Sequence, residues 1–305
     1  MRNMAFMVSL KESTFKEYYR IYQKFENFIS DQIFDWNDPY ILEYFASHLG
    51  CMNKAYLAQK IVPALRFFAN LDGKELHVPN SFSKVNKGFT RIWELCDKIP
   101  LEREGVEANA IHDYIINHNS SQDPYTYALT CAILVVGFRL FARPGELCKL
   151  KWSSVIFKKD GNVQFDLSGH KTDPFFREFD IVVDANKNNP KVCPVTVLKK
   201  YMDMVSHFKE ADSPLFSFEN DRFLSSDQIS TIVKTAMDEV DPLKKVSGHS
   251  MRIGATTEGV SKGVSMTDLM IGGRWKSLTS LMRYARSMGL VHKQFSSTLF
   301  STTRD

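Results

Sequence analysis

The sequence has no closely spaced pair of cysteines. Its five, Cys51, Cys96, Cys131, Cys148 and Cys193, are scattered along the chain, which argues against a zinc site or a disulfide framework and fits a reducing compartment. No hydrophobic run is long enough to cross a bilayer. The most apolar stretch, Ala128 to Phe138, falls well short of the roughly 20 residues a spanning helix needs and reads as a buried helix. The first residues, MRNMAFMVSL, lack the apolar region and small-residue cleavage site of a secretory signal. A soluble, intracellular protein with no membrane partner is expected. Also missing are a P-loop pattern, the carboxylate cluster of a two-metal nuclease, internal repeats and low-complexity segments. Neither a nucleotide cofactor nor a metal is therefore expected.

What is present suits a folded, two-domain chain: 305 residues, 44% hydrophobic and 24% charged. The net charge is only +4, but it is unevenly placed. Seven basic residues, Lys54, Lys60, Arg66, Lys74, Lys84, Lys87 and Arg91, face only Asp72 and Glu75 in the same stretch. That segment carries +5 and leaves −1 for the remainder. A basic surface on a near-neutral protein is the electrostatic footprint of a nucleic-acid binder, although a solvated lysine-rich face has the same composition.

The first hundred residues read as helices. Thr14-x-x-Glu17 has the form of a capping box, and Phe15, Tyr18, Tyr22, Phe25 and Ile29 then recur every three or four positions. Asp38-Pro39 predicts a helix start and Gly50 its end. A third helix is expected over Lys54 to Asn70, interrupted or bent at Pro63. A fourth, Lys84 to Asp97, sets Lys84, Lys87 and Arg91 on one face. Lys98 to Gly105, with Pro100, reads as a linker. Beyond it the pattern is mixed. A buried helix is expected over Tyr125 to Phe141, then strands at Val155–Phe157, Val163–Leu167 and Phe176–Val183, then helices at Pro194–Phe208 and Ser226–Val240. The expected fold is mainly α with a small antiparallel β-sheet, an α+β arrangement of a helical domain at 1–100 and a larger one at 106–305.

Four segments of the second half carry chemistry in combination. They are Ala142-Arg143-Pro144-Gly145-Glu146-Leu147, the turn His170-Lys171-Thr172, His249-Ser250-Met251-Arg252-Ile253-Gly254, and Gly272-Gly273-Arg274-Trp275-Lys276-Ser277 leading to Tyr284. Taken singly, each has an innocent reading as a solvated arginine, a polar turn or a packed tryptophan. Together they contain what phosphodiester transfer without a metal requires. Arg143 and Arg252 can each grip a nonbridging phosphate oxygen in a planar fork and stabilise charge developing at phosphorus. Tyr284 offers a phenol nucleophile, weak at its free pKa of about 10 unless cations and a base help it ionise. His249 can exchange a proton near neutral pH, and Lys171 can supply one to a departing oxygen.

The order Arg-x-x-Glu, hairpin Lys, His-x-x-Arg, Gly-Gly-x-Trp, Tyr resembles the tyrosine recombinase (phage integrase) family, and most of all its Cre recombinase subgroup. The segment HSMRIGATTEGVSKGVSMTDLMIGGRWKSLTSLMRYAR is similar to the family signature throughout. Trp275 lies 23 positions after Arg252, Tyr284 nine after Trp275, and Lys171 28 after Arg143, which are that subgroup's intervals. The resemblance covers roughly 110–288. The first hundred residues resemble the family's core-binding domain only in helical character, length and charge.

The resemblance implies a C-shaped clamp on double-stranded DNA, with Lys54, Lys60, Arg66, Lys84, Lys87 and Arg91 as DNA contacts. It implies that Arg143 and Arg252 bind the scissile phosphate and that Lys171 protonates the leaving 5′ oxygen. His249 would assist proton transfer at the nucleophile, Trp275 would reach the phosphate through its indole N–H, and Glu146 would orient its neighbours. Tyr284 would form a 3′-phosphotyrosyl bond that a 5′-hydroxyl can reseal without ATP. The protein would be a monomer or dimer when free and a tetramer on two DNA sites, acting in integration, excision or resolution of a mobile or viral element.

Ile253 stands where many members carry a second His, and Trp275 occupies the family's His/Trp position. Arg139 is near Arg143, but only Arg143 has a Glu three residues later. Val291, Phe295 and Leu299 form a narrow terminal stripe, which would dock either on its own domain or on a neighbouring protomer as an oligomerisation helix. A type IB topoisomerase shares the Arg/Lys/Arg/His/Tyr logic, a catalytically silent DNA-binding protein could share the fold, and an RNA or acidic-protein partner would suit the basic segment alone.

Overall fold

A computed structural model describes residues 10–32, 38–51, 57–95, 104–118, 123–167, 180–219, 221–282 and 284. The chain divides into two compact units, Met1–Pro100 and Leu101–Asp305.

The described part of the first unit is helical: α1 (Glu12–Gln32), α2 (Ile41–Cys51), α3 (Ala58–Leu71) and α4 (Phe82–Leu95). The apolar periodicity of α1 is real, with Ile21, Phe25 and Phe28 buried and Tyr18, Tyr22 and Ile29 packed at the margin. They meet Ile41, Leu42, Phe45 and Leu49 of α2 and Ile61, Ala64 and Leu65 of α3. An aromatic group seals the α1–α3 contact, with the Tyr22 and Phe68 rings stacked at 4.5 Å between centroids.

Several expected boundaries shift. Thr14 does not cap α1, because the helix starts at Glu12 and Phe15 N already donates to Lys11 O. Glu12 sits in the first turn, where a carboxylate complements the helix dipole, and pairs with Lys16 one turn on. Asp38 does accept from Tyr40 N at 2.7 Å at the start of α2, but that helix runs through Gly50 to Cys51. α3 begins at Ala58 and passes through Pro63 without ending. α4 begins at Phe82, two residues before the expected start.

The second unit is built around α6 (Pro124–Arg139), which follows α5 (Ala108–Asn117). Every residue from Ala128 to Gly137 is buried, so this helix is apolar on all sides because protein surrounds it on all sides. Asp123 caps it, accepting from Tyr125 N and Thr126 N, with Pro124 in the first turn. The short α7 (Pro144–Leu147) follows at once. β1 (Val155–Phe157), β2 (Val163–Asp166) and β3 (Asp180–Val183) form an antiparallel sheet in the order β1-β2-β3. Val155 pairs with Phe165 and Phe165 with Ile181, which sets the apolar row toward the core. Then come α8 (Pro194–Val205), α9 (Ser226–Val240), α10 (Ser250–Ser261), α11 (Met266–Gly272) and α12 (Leu278–Met282). Among the described residues no helix is long and apolar enough to cross a membrane.

The expected linker ends earlier than Gly105. Glu104 N donates to Lys245 O, Val106 N donates to Ser250 O, and Gly105 lies against Gly254. Residues 104–106 are therefore already packed on the start of α10. Gly254 permits this approach, since a Cβ there would sit 1.7 Å from Val106 O. Gly254→Ala should cost about 1–3 kcal/mol or more by overpacking against backbone. Gly145→Ala, with nothing within 4 Å of the added carbon, should be neutral or slightly stabilising. Denaturant unfolding of the two variants checks the contrast, and equal losses would contradict it.

Candidate active site

Two turns and a helix start converge in the second unit. The first turn leads from α6 into α7. Arg143 takes the N-cap position of α7, and Glu146 in its first turn reaches back to it. Arg143 N donates to Glu146 Oε2 at 2.8 Å, and Arg143 Nη1 donates to Oε1 at 2.8 Å. The second turn follows α11 and contains Arg274 at φ +57°. Its Nη2 donates to Glu146 Oε2 at 3.0 Å and its Nη1 to Leu140 O at 3.0 Å. One carboxylate thus stands between two arginines. Burial alone would raise the Glu146 pKa, but the Arg274 charge, the Arg143 N–H and the Arg143 charge outweigh it and hold Glu146 below the ordinary carboxylate range.

The third piece is the first turn of α10. Gly248 abuts Pro144 so closely that a Cβ on it would be 2.2 Å from Pro144 Cγ, which brings the His249 turn against α7. Gly137 gives Met251 the same close approach on α6. Arg252 then projects into the centre with none of its surface exposed. Its Nη1 donates to Phe141 O and its Nη2 to Gly273 O, both at 2.5 Å. Burial first, then the Arg143 charge, push its pKa down to about 9, so it remains a cation at neutral pH.

Aromatic rings cover this guanidinium. Its carbon lies 3.8 Å from the Trp275 ring centroid and 5.3 Å from that of Tyr284, within range for cation–π attraction. Trp275 and Tyr284 themselves pack at 5.5 Å, and Phe141 meets Trp275 edge-on at 6.1 Å. Two buried donors in this stack, Arg252 Nε and Trp275 Nε1, have no hydrogen-bond partner among the described residues. Buried polar groups are nearly always satisfied, so paired orphan N–H groups beside a cluster of arginines mark a place for an acceptor, ideally an anionic one.

The sequence model of the Phage integrase family matches residues 104–289, more than half of the chain and all of this cluster. The chain belongs to the phage integrase family. It is thus a tyrosine recombinase. No curated relative matches it at the level of sequence, but solved structures share its fold. A lambda integrase fragment (75–356) in a dimer bound to a COC′ core site matches with TM-score 0.61 and 16% identity, over 92% of this chain and 90% of that one. The Tn1549 transposon integrase in complex with transposon right end DNA gives 0.62 and 12%, over 95% and 94%. XerH site-specific recombinase bound to a palindromic difH substrate gives 0.62 and 12%, over 93% and 78%.

Within this phage integrase fold, Arg143, Glu146, Arg252, Trp275 and Tyr284 are brought together. His249 sits half-buried at the N-cap of α10, one turn before Arg252. Lys171 lies outside the described residues, on the connection between β2 and β3. In the first unit Arg66, Lys84, Lys87 and Arg91 are exposed, Lys60 is ion-paired with Glu17, and Lys54 lies outside the described residues. Sequence reasoning missed Arg274 and Phe141. Arg274 was legible only as the variable position of Gly-Gly-x-Trp. Phe141 contributes a carbonyl, turned toward Arg252 by a left-handed φ of +48°, and no residue-type signal announces that.

Gly273 makes the ring stack possible, because a Cβ there would lie 1.6 Å from Trp275 Cζ3. Gly273→Ala should therefore expel the indole from its site on Arg252. The expected readout is a red-shifted, more quenchable tryptophan emission together with a lower unfolding midpoint. Unchanged emission would contradict the geometry.

Proposed function

We propose that this tyrosine recombinase is a site-specific DNA recombinase that cleaves and rejoins double-stranded DNA through a covalent 3′-phosphotyrosyl bond to Tyr284. The observation that carries this reading is the meeting of Arg143, Arg252, Trp275 and Tyr284, from three separate segments, around buried donors that lack an acceptor among the described residues. A scissile phosphate supplies that acceptor. Arg143 and Arg252 grip its nonbridging oxygens and stabilise the charge that grows there during attack. Arg252 Nε and Trp275 Nε1 add fixed donors.

Tyr284 attacks phosphorus, its proton passing toward His249, and Lys171 protonates the 5′ oxygen as the P–O bond breaks. Reversal by a strand's 5′-hydroxyl restores the phosphodiester, so bond energy is conserved. Arg252 is completely covered, so contact of its guanidinium with a phosphate oxygen requires the groups packed on it to shift.

The spacing of Arg143, Lys171, Arg252, Trp275 and Tyr284 supports, in this reading, a likeness to the Cre subgroup. The first unit serves as the core-binding domain, with Lys84, Lys87 and Arg91 of α4 and Arg66 of α3 meeting phosphates. Lys60 contributes less, because Glu17 already pairs with it. The structural neighbours include a lambda integrase tetramer bound to a Holliday junction, and a tetramer on two DNA sites is the assembly proposed here. Val291, Phe295 and Leu299, outside the described residues, would link its subunits.

With a nicked suicide substrate, the wild type should form a denaturant-resistant adduct in EDTA, because the arginines and lysine supply the positive charge a metal would otherwise supply. Tyr284→Phe should form none, and Arg143→Ala should react slower by about 100-fold or more. A requirement for magnesium, or an adduct with Tyr284→Phe, would refute the reading. Relaxation of plasmid without exchange between two sites would favour a topoisomerase instead.

Replacing Lys84, Lys87 and Arg91 together should reduce the slope of log affinity against log salt by about 2 to 3 units, since each neutralised phosphate contributes about 0.9. An unchanged slope would remove α4 from the DNA interface.

A further inference from the structure

We infer that Arg274 is a positioning residue for strand cleavage, sharing the negative charge of Glu146 with Arg143 so that Arg143 keeps positive charge for phosphate. This inference rests on the recombinase reading above and adds a residue to its machinery. Arg274 is almost wholly buried, and Glu146 Oε2 at 3.0 Å, Leu140 O at 3.0 Å and Gly272 O at 3.3 Å accept from its guanidinium. Its φ of +57° is one that a residue with a Cβ adopts only when its contacts hold it there. No residue type is needed at that turn for its chain path alone, and glycine would fit with less strain. The arginine is therefore present for what its side chain does.

The carboxylate geometry says what that is. Glu146 offers Oε1 to Arg143 Nη1 and Oε2 to both Arg143 N and Arg274 Nη2. A carboxylate is a strong competitor for a phosphate-binding guanidinium, because it presents the same pair of anionic oxygens. Shared between two arginines, it orients Arg143 without neutralising it. Arg143, Arg252 and Arg274 against Glu146 leave a local charge of +2, and Arg143 keeps 23% of its side chain exposed to receive an anion. Without Arg274 the buried carboxylate, already in contact with Arg143 through both oxygens, has Arg143 as its one guanidinium hydrogen-bond partner among the described residues. Of the influences that lower the Glu146 pKa, the Arg274 charge is the largest. Through Leu140 O and Gly272 O the same side chain ties the turn before Arg143 to the turn before Trp275, so both phosphate-facing groups keep register.

The test is single-turnover cleavage of a nicked suicide substrate by full-length wild type, Arg274→Met, Arg274→Lys, Glu146→Gln/Arg274→Met and Tyr284→Phe. DNA affinity and folded fraction are measured alongside. Arg274→Met should lower the cleavage rate at saturating DNA by about 100-fold, after correction for folded fraction, with affinity changed less than about 3-fold. Arg274→Lys, retaining charge and fewer donors, should fall between. Neutralising Glu146 in the Met background should recover about 10-fold of the lost rate, because Arg143 is released.

A purely structural Arg274 predicts the opposite for the double variant, a rate no better than Arg274→Met, and that result overturns the inference. So does a wild-type rate in Arg274→Met. If wild type forms no Tyr284 adduct, the recombinase reading itself fails. An adduct in wild type, absent in Tyr284→Phe, secures that reading whatever Arg274 does.

Discussion

The site depends on a single buried carboxylate. Glu146 is 7% exposed and accepts from the backbone and guanidinium of Arg143 and from Arg274. It offsets part of the cost of gathering Arg143, Arg252 and Arg274 in one place, since a buried charge without compensation costs several kcal/mol. Its own ionisation is kept by the cations it holds together, with pKa below the usual range. Such a group contributes stability above the unfolded carboxylate pKa of about 4.3, and that stability is lost as acid titrates through the lowered folded value. When acid protonates this carboxylate the guanidiniums stay charged, so they are left facing one another without their shared anion.

Around that cluster the fold is arranged for close approach rather than reach. Gly137, Gly248, Gly254 and Gly273 each sit where an added Cβ would collide, with Met251, Pro144, Val106 and Trp275 respectively. These contacts draw α6, α7, α10 and the turn after α11 together until Arg252 can touch Phe141 O and Gly273 O at once. The apolar α6 at the centre supplies rigidity, and the site lies at its C-terminal end, where the chain turns through Phe141 into Arg143.

Much of this could be read from residue order. Arg143, Glu146, Arg252, Trp275 and Tyr284 followed from order and spacing, because the family pattern is a pattern of side chains and the required types are rare in combination. The strand segments and the long helices followed from alternation and from the three-to-four periodicity, since burial imposes those periods directly. What could not be read has a common cause. Phe141 acts through a carbonyl and Arg274 through a backbone conformation that its residue type disfavours. Each is decided by tertiary contacts or by backbone geometry, which leave no signature in local sequence.

A site of this kind is held at a cost in stability. Arg252 Nε and Trp275 Nε1 are buried without an acceptor among the described residues, and an unsatisfied buried donor costs about 1–3 kcal/mol. The Arg252 guanidinium is also desolvated beneath two aromatic rings, which depresses its pKa to about 9. An anionic oxygen entering between those donors would relieve both penalties, and relieve them most when its charge is greatest. Charge on the nonbridging oxygens of a phosphodiester rises during nucleophilic attack, so the relief is larger in the transition state than in the ground state. Binding that strengthens along the reaction coordinate accelerates it. The same unsatisfied donors that weaken the unliganded fold would thus lower the barrier to cleavage.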